Sequence, residues 1–319
     1  MSWTRFPHGI SSFGMPVFGS GDVLTTGNIW FVDSDTTYGS DSNSGETPTD
    51  AFLTIDYAIG KCTANNGDII IVKEGHAETV TTAITADIAG VTILGLGHGD
   101  KRPTITVNAA IPGLNVTAVD CKFHNLQFVA GSSITAATRI LRVAANGAKF
   151  TGCQFSMPYD MYHMIVVFKG DEVEFVNCVF KNSVTTNASV HPQTGLLVIG
   201  AAAKTDVLIK NCRFEDVLAK KAERWRAVIE GSGQTAATSA HLGTQIRVED
   251  CDFLCRGVAV AARSLATSNN QITTVDCRGI SPSGNTAVAS IFGAKYIHMI
   301  EAYNVAAVNK VGLVNATAA

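Results

Sequence analysis

The eight cysteines of this sequence are its residues best suited to chemistry, because a thiolate can bind a soft metal, attack an electrophile or form a disulfide. Only Cys251 and Cys255 lie close together, with three residues between them, and His241 is the nearest histidine upstream. This set admits a zinc-site interpretation. A chain of 319 residues does not need a disulfide framework. We therefore predict free thiols, no metal centre and no cofactor.

Carboxylates are the second candidate, because sugar hydrolases place two of them on either side of the bond that is cleaved. The densest acidic stretch is Asp171-Glu172-x-Glu174, but its glutamates flank residues typical of a core. A solvated strand face is the simpler interpretation. Tyr159, Tyr162 and Trp225 would suit a sugar groove but are scattered along the chain. The sequence therefore predicts no catalytic site.

The composition favours a folded β-rich protein. Hydrophobic residues make up 46% of the chain and charged residues 16%, so a large core is expected. The net charge of -3 gives no electrostatic signature of nucleic-acid or membrane binding. No apolar run approaches the roughly 18 residues of a membrane span. The segment 1–20 also makes a poor signal peptide, because Pro and Gly interrupt it.

Most of the cysteines recur within one phrase, apolar-x-apolar-x-[Asn/Asp/Gly]-Cys-x-Phe. Two weaker copies are VTILGLGH (91–98), with Leu96 at the cysteine position, and IHMIEAYN (297–304), with Ala302 there. The clearer copies are VTAVDCKF (116–123), AKFTGCQF (148–155), VEFVNCVF (173–180), VLIKNCRF (207–214), IRVEDCDF (246–253) and ITTVDCRG (272–279).

The alternation of side chains within this phrase predicts a sharp corner. Val207 and Ile209 share one face of a strand, whereas Cys212 and Phe214 have the opposite parity although all four are apolar. A bend at Asn211 in the left-handed conformation lets both short strands point inward, and Asn, Asp and Gly adopt that conformation most readily. The cysteines would then stack inside, one per coil. The predicted corner residues are Gly95, Asp120, Gly152, Asn177, Asn211, Asp250 and Asp276.

The spacing of these corners predicts a solenoid. Successive intervals from Gly95 to position 301 are 25, 32, 25, 34, 39, 26 and 25 residues, a base period of about 25 with three insertions. Short strands without helical periodicity make it an all-β solenoid. The chain resembles the right-handed parallel β-helix proteins of the pectate-lyase-like superfamily over roughly residues 28–310. In that superfamily, one left-handed residue separates two of the three sheets. The resemblance implies a fold rather than a function.

The amino-terminal part of the solenoid predicts a cap. A strand at 29–33 and a polar loop precede a short amphipathic helix at 51–62, with Thr49 or Asp50 as its N-cap. A helix over the open end would cover unpaired strand edges. This order resembles the start of many phage-encoded β-helix proteins. The predicted organisation is an amino-terminal arm at 1–27, the β-helix at 28–310 and a carboxy-terminal tail at 311–319.

Two segments are predicted to bind a partner. The stretch RFPHGISSFGMPV (5–17) resembles the amino-terminal segment of phage virion proteins that carry F-P-x-G-x-x-x-F-G-x-P-V. Three insertions, at 131–139, 185–195 and 218–243, interrupt the repeat, and the last holds a basic and aromatic cluster. A partner contact and an ordinary solvated segment both fit this cluster. The predicted contact residues are Trp3, Phe6, Phe13, Phe18, Lys220, Lys221, Arg224, Trp225 and Arg226.

These features predict a non-enzymatic phage virion protein. The expected role is a capsid decoration or cement protein, assembled in the host cytoplasm and placed on the head surface as a homotrimer. Its partner would be the major capsid protein or another virion protein, with no nucleic acid or membrane involved. The alternative is a tail spike or fibre that binds, and in some cases depolymerises, host surface polysaccharide. A free polysaccharide lyase is the third hypothesis, and buried thiols that resist thiol reagents are expected in all three.

Overall fold

The computed structural model describes part of the chain. Side chains are described mainly between residues 25 and 181, with further segments at 206–215, 246–253 and 273–277. In the described part, no helix is long and apolar enough to cross a membrane. The backbone is described at 11–12, 15–16, 25–109, 111–131, 139–158, 163–167, 170–182, 195–199, 205–216, 227–231, 244–255, 260–264, 271–281, 297–300, 303–306 and 310–313.

Three parallel sheets run along the solenoid, and the chain visits them in turn. Sheet 1 contains Ile29–Val32, Ile69–Val72, Thr92–Gly95, Lys122–His124, Lys149–Thr151, Val173–Val176, Thr205–Lys210, Thr244–Glu249, Gln271–Val275 and Ile297–Ile300. Sheet 2 contains Ala77–Val80, Thr104–Val107, Gln127–Ala130, Gln154–Met157, Val179–Asn182, Arg213–Asp216, Asp252–Cys255, Arg278–Ser281, Tyr303–Ala306 and Lys310–Leu313. Sheet 3 contains Ile84–Ala86, Pro112–Val116, Arg139–Val143, His163–Val167, Gly195–Ile199, Ala227–Gly231 and Val260–Ser264.

Two columns of stacked phenylalanines fill the interior between sheets 1 and 2. On sheet 1, the rings of Phe123, Phe150 and Phe175 stack with centroids 4.8 and 5.0 Å apart. On sheet 2, five rings stack with centroids 4.6 to 5.4 Å apart. The two columns meet edge to face, as where Phe150 contacts Phe155 at 6.2 Å. In-register pairing therefore puts like side chains together in a dry core. The sheet 2 column consists of Phe128, Phe155, Phe180, Phe214 and Phe253.

The amino-terminal cap contains a shorter helix than the predicted 51–62. The α-helix covers only Ile55–Ile59, and its N-cap is Thr54, whose hydroxyl accepts the Tyr57 N–H, rather than Thr49 or Asp50. The reason lies in Phe52, which forms a parallel bridge to Val32 and exchanges backbone hydrogen bonds with that strand. Phe52 thus adds a rung to sheet 1 before the helix begins.

The cap also closes the first edges of sheets 2 and 3. The Asp56 carboxylate accepts the edge N–H of Thr85 at 2.8 Å, and the Ser34 hydroxyl accepts that of Ala77 at 2.8 Å. The Glu78 carboxylate accepts the Ile55 N–H at the start of the helix at 3.2 Å. These contacts satisfy groups that would otherwise pair with a foreign strand.

Both ends of the chain carry short antiparallel pairs. Ser11–Ser12 pairs with Met15–Pro16 inside the predicted arm. Lys310–Leu313 pairs with Tyr303–Ala306 and extends the last rung of sheet 2 into the segment predicted as a tail. The boundaries at residues 27 and 310 stay predictions.

Candidate functional site

The corner between sheets 1 and 2 is built on residues of positive φ. Gly152, Asn177, Asn211, Asp250 and Asp276 have φ of 64°, 56°, 50°, 51° and 49°, and each is followed by a cysteine. Their backbone N–H groups donate to equivalent carbonyls of the next coil, as from Asn177 to Lys210 and from Asn211 to Glu249. In-register pairing of the flanking strands places these five residues in one column.

The placement of Asp120 in this column was wrong. Asp120 has φ of 59°, but it lies at the corner between sheets 3 and 1, because the strand Lys122–His124 that follows it belongs to sheet 1. There it aligns with Gly90 and Gly147, which also have positive φ. The phrase VTAVDCKF therefore marks a different bend of the same coil.

The residue that occupies the corner in that coil is Asn125, with φ of 53°. Its N–H donates to the Thr151 carbonyl at 3.0 Å, and its side chain donates to the carbonyls of Gly95 and Gly97. Leu126 takes the cysteine position and is buried. Alignment on cysteine missed this corner, whereas the Asn-x-x-Phe spacing up to Phe128 would have found it.

The expectations for Gly95 and Leu96 were also wrong. Gly95 does not have positive φ; it lies so close to the Asn125 carbonyl that a Cβ would come within 2.5 Å of the oxygen. Leu96 is 41% exposed rather than inward. A longer loop leaves sheet 1 here, and its left-handed residues are Gly97 and Gly99, at 78° and 58°.

Five thiols stack directly inside the corner, and we call Cys153, Cys178, Cys212, Cys251 and Cys277 the thiol column. Each is at most 2% exposed. Each Sγ lies near two carbonyls, that of the residue two before it, at 3.1 to 3.7 Å, and one from the coil before, at 3.3 to 3.6 Å. The thiol thus adds a weak donor beside carbonyls of the bend, some of which also accept a backbone N–H, as the Lys210 carbonyl accepts that of Asn177.

Burial raises the pKa of the thiols of Cys178, Cys62 and Cys121. Burial, together with the neighbouring thiols of Cys153 and Cys212, holds the pKa of Cys178 well above 9.0. Of the cysteines whose side chains are described, Cys62 and Cys121 lie outside the thiol column. Burial and the nearby Asp68 carboxylate raise the pKa of Cys62 to about 12, and burial raises that of Cys121 to about 11. Low thiolate content at neutral pH makes Cys178, Cys62 and Cys121 poor nucleophiles. Despite burial, hydrogen bonds from neighbouring thiols lower the pKa of Cys153, Cys212 and Cys277.

Of the three candidate zinc ligands, the structure describes the side chain of Cys251 alone. Cys251 belongs to the thiol column and faces the carbonyls of Ile209 and Glu249. His241 and the Cys255 side chain lie outside the described residues. Among the residues whose positions are described, no group of three or more metal-binding side chains comes together.

The acidic stretch at 171–174 is used in packing and pairing. Asp171 accepts the Asp206 N–H at 3.0 Å, and Glu174 pairs with Lys149 at 2.9 Å. Glu172 is exposed at the corner between sheets 3 and 1, with φ of 55°. These carboxylates therefore do not form a pair around a common substrate position.

The outer face of sheet 3 carries two arginines on one strand. Ile140 and Leu141 are both buried, whereas Arg139 and Arg142 on either side of them are partly exposed. Arg142 donates to the Asn115 side chain of the preceding coil at 3.0 Å. Partial burial and the adjacent Arg142 charge lower the pKa of Arg139. Two neighbouring guanidinium groups make this face suited to binding an anion.

The predicted partner-binding residues lie outside the described residues. The cluster 220–226 falls between the strand Arg213–Asp216 of sheet 2 and the strand Ala227–Gly231 of sheet 3. The insertions at 131–139 and 185–195 join the same two sheets. The third predicted insertion, 218–243, is not a single loop, because it contains the strand Ala227–Gly231 of sheet 3 and is followed by a strand of sheet 1. The contacts of the following residues stay predictions: Trp3, Phe6, Phe13, Phe18, Lys220, Lys221, Arg224, Trp225 and Arg226.

Solved structures with a similar backbone fold include the following three proteins. A rhamnogalacturonan lyase has a TM-score of 0.53 at 14% identity, over 80% of this chain and 74% of that chain. A pectin methylesterase has a TM-score of 0.51 at 11% identity, over 88% of this chain and 90% of that chain. A pectate lyase has a TM-score of 0.50 at 14% identity, over 88% of this chain and 75% of that chain. The chain has the right-handed parallel β-helix fold of the pectate-lyase-like proteins. No protein-family model and no curated protein sequence matches it.

The described part of the β-helix thus presents two candidate binding sites. The thiol column is internal and can engage a species small enough to fit between coils. The Arg139 and Arg142 pair is external and can bind an anionic group.

Proposed function

We propose that this protein is a non-enzymatic structural component of a phage virion, a decoration or cement protein that coats the head surface. The observation that supports this most is the closure of the β-helix. Phe52, the cap helix, Asp56 and Ser34 cover its first edges, and Lys310–Leu313 covers the last rung of sheet 2. A covered amino-terminal end disfavours strand addition there, which favours lateral association.

In this proposal the arm at 1–27 anchors the β-helix to the major capsid protein or another virion protein. The resemblance of RFPHGISSFGMPV to virion protein segments supports that role. The insertions between sheets 2 and 3 would contact sister subunits in a homotrimer. Cementing then follows from mass action, because a protein that binds the assembled shell stabilises it by its binding free energy.

A depolymerisation panel tests the absence of enzymatic activity. The purified protein is incubated with neutral and acidic bacterial surface polysaccharides, with calcium and with a chelator. We expect no new reducing ends and no unsaturated products above the level of heat-denatured protein. If the folded protein cleaves any glycan and the heat-denatured protein does not, the proposal is overturned in favour of a lyase or hydrolase.

The second candidate is a tail spike or fibre that binds an acidic polysaccharide, and the outward pair Arg139 and Arg142 favours it. If this is the function, a glycan array should show a charged ligand whose binding falls when both are changed to Gln. The matched control is Lys149→Gln on sheet 1, which removes one positive charge at a distance from the pair. Absence of any retained glycan would leave the decoration role as the better proposal.

A further inference from the structure

We propose that the thiol column is a binding site for soft divalent cations that take two ligands, of the class of Hg(II), each held between cysteines of adjacent coils. Nothing in this proposal depends on the virion role. It rests on the register of the coils, the equivalence of the five sulfur positions and the length of metal–sulfur bonds.

The register places the thiols one above the other. Gln154 pairs with Val179, Val179 with Arg213, Arg213 with Asp252, and Asp252 with Arg278. The cysteine just before each of these residues is therefore in register with the next one. Neighbouring parallel strands are about 4.8 Å apart, so adjacent cysteines are separated by roughly that distance.

The sulfur atoms also occupy equivalent positions within their coils. The distance from Sγ to the carbonyl of the preceding coil is 3.5 Å for Cys153, 3.3 Å for Cys178 and 3.3 Å for Cys212. It is 3.6 Å for Cys251 and 3.4 Å for Cys277. Equivalent surroundings keep the sulfur-to-sulfur distance close to the strand spacing along the column.

This spacing favours a metal bridge over a disulfide. A disulfide needs an S–S bond of about 2.05 Å and Cβ atoms about 3.8 Å apart, which would require adjacent coils to move together. Two metal–sulfur bonds of about 2.3 Å in a line span about 4.6 Å, close to the distance already present. Thiolate is the ligand that soft cations prefer.

The bridge forms without a change in oxidation state. Two thiols and one Hg(II) give S–Hg–S and two protons, which pass to the buffer. The product carries no net charge, so its burial in the apolar interior is far less costly than that of an isolated ion. Because the thiols are buried, we expect uptake to be slow and limited by local opening of the coils.

The number of bridges depends on adjacency rather than on the number of thiols. Five thiols in a row allow two separate pairs. The variant Cys212→Ala leaves Cys153 with Cys178 and Cys251 with Cys277, so two pairs remain. The variant Cys178→Ala has the same number of thiols but leaves one pair. The double variant Cys178→Ala/Cys251→Ala keeps three column thiols and no adjacent pair.

The experiment incubates each native protein with Hg(II), removes singly bound ions with a monothiol competitor and counts retained ions by native mass spectrometry. The number of ions retained by the double variant is subtracted as background. After this subtraction, we expect two ions for the natural chain, two for Cys212→Ala and one for Cys178→Ala. Cys121→Ala, outside the column, should match the natural chain. Circular dichroism checks that each variant is folded.

Equal retention by Cys212→Ala and Cys178→Ala would overturn the proposal, because these variants differ only in adjacency. Absence of retained mercury in the natural chain would overturn it too. A sulfur coordination number of two and a bond of about 2.3 Å from X-ray absorption would support it further.

Discussion

At the scale of single residues, Asn211 combines a backbone role with a side-chain role. Its φ of 50° turns the chain from sheet 1 to sheet 2, and its side-chain Nδ2 donates to the side-chain Oδ1 of Asn177 in the coil before at 2.7 Å. Asparagine tolerates this conformation because its short side chain forms hydrogen bonds locally. The same residue therefore bends one coil and ties it to the next.

The variant Asn211→Ala should lower the free energy of unfolding by about 1 to 2 kcal/mol, since alanine pays the steric cost of the left-handed conformation. Asn211→Gly is the matched control, because glycine adopts that conformation without the cost and loses only the side-chain bond. Equilibrium urea unfolding measures both. If alanine were no worse than glycine, the role assigned to the positive φ would be incorrect.

The buried thiol of Cys121 predicts a loss of stability in base. Its pKa rises from 9.0 to about 11 in the folded chain, so above pH 9 the unfolded state releases a proton that the folded state keeps. Stability from this group is present below pH 9 and falls by about 1.4 kcal/mol per pH unit until the folded thiol ionises. Unfolding midpoints of the natural chain and Cys121→Ala should converge as the pH rises from 9 to 11. Parallel curves would contradict this.

At the scale of elements, the phenylalanine column of sheet 2 holds the coils in register. Phe180 lies between Phe155 and Phe214, with centroids 5.2 and 4.6 Å away, and is fully buried. Each ring contacts like rings above and below, so a slip of one residue would turn the whole set outward.

The variant Phe180→Ala should destabilise the chain by about 3 to 5 kcal/mol, because it removes a large buried side chain and leaves a cavity between two stacked rings. Phe180→Leu should cost about 1.5 kcal/mol or less, since most of the apolar volume stays. Urea midpoints of the two variants check this order. A small effect of the alanine variant would show that the column does not carry the packing.

We predict that the variant Asp56→Ala is less soluble, because the cap loses a carboxylate that covers a sheet edge. Asp56→Ala leaves the edge N–H of Thr85 without its acceptor, so sheet 3 gains a site for pairing with another chain. We expect self-association at high protein concentration by light scattering, with a loss of about 1 kcal/mol in stability. Asp87→Ala removes an exposed carboxylate nearby and should stay unaggregated. Equal behaviour of the two variants would contradict the edge-covering role.

The fold was predictable from sequence because the corner chemistry repeats in a fixed phrase. The phrase misplaced Asp120 because an Asp-Cys pair can lie at either of two corners of a coil, and only strand register shows which corner it occupies. It missed Asn125 because Leu126 replaces the thiol. The cap helix was predicted too long because an amphipathic pattern cannot show that Phe52 pairs with a strand. Register and pairing are long-range properties, which local spacing does not contain.

At the scale of the whole molecule, the β-helix separates its candidate sites in space. The interior is a regular stack of rings and thiols, the amino-terminal end is closed, and two of the predicted insertions, at 131–139 and 185–195, leave the coils between sheets 2 and 3. The sequence indicated the thiols and the insertions, but it gave no signal for Arg139 and Arg142. Their common exposure departs from strict alternation, because Ile140 and Leu141 between them are both buried.

The measurement that tests the proposed function most directly is the position and copy number of this protein in purified phage particles. Cryo-electron microscopy with quantitative mass spectrometry gives both. The account predicts many copies spread over the head surface in threefold groups, each with its β-helix outward and its arm at the shell. A few copies confined to the tail tip, or no copies in the particle, would contradict it.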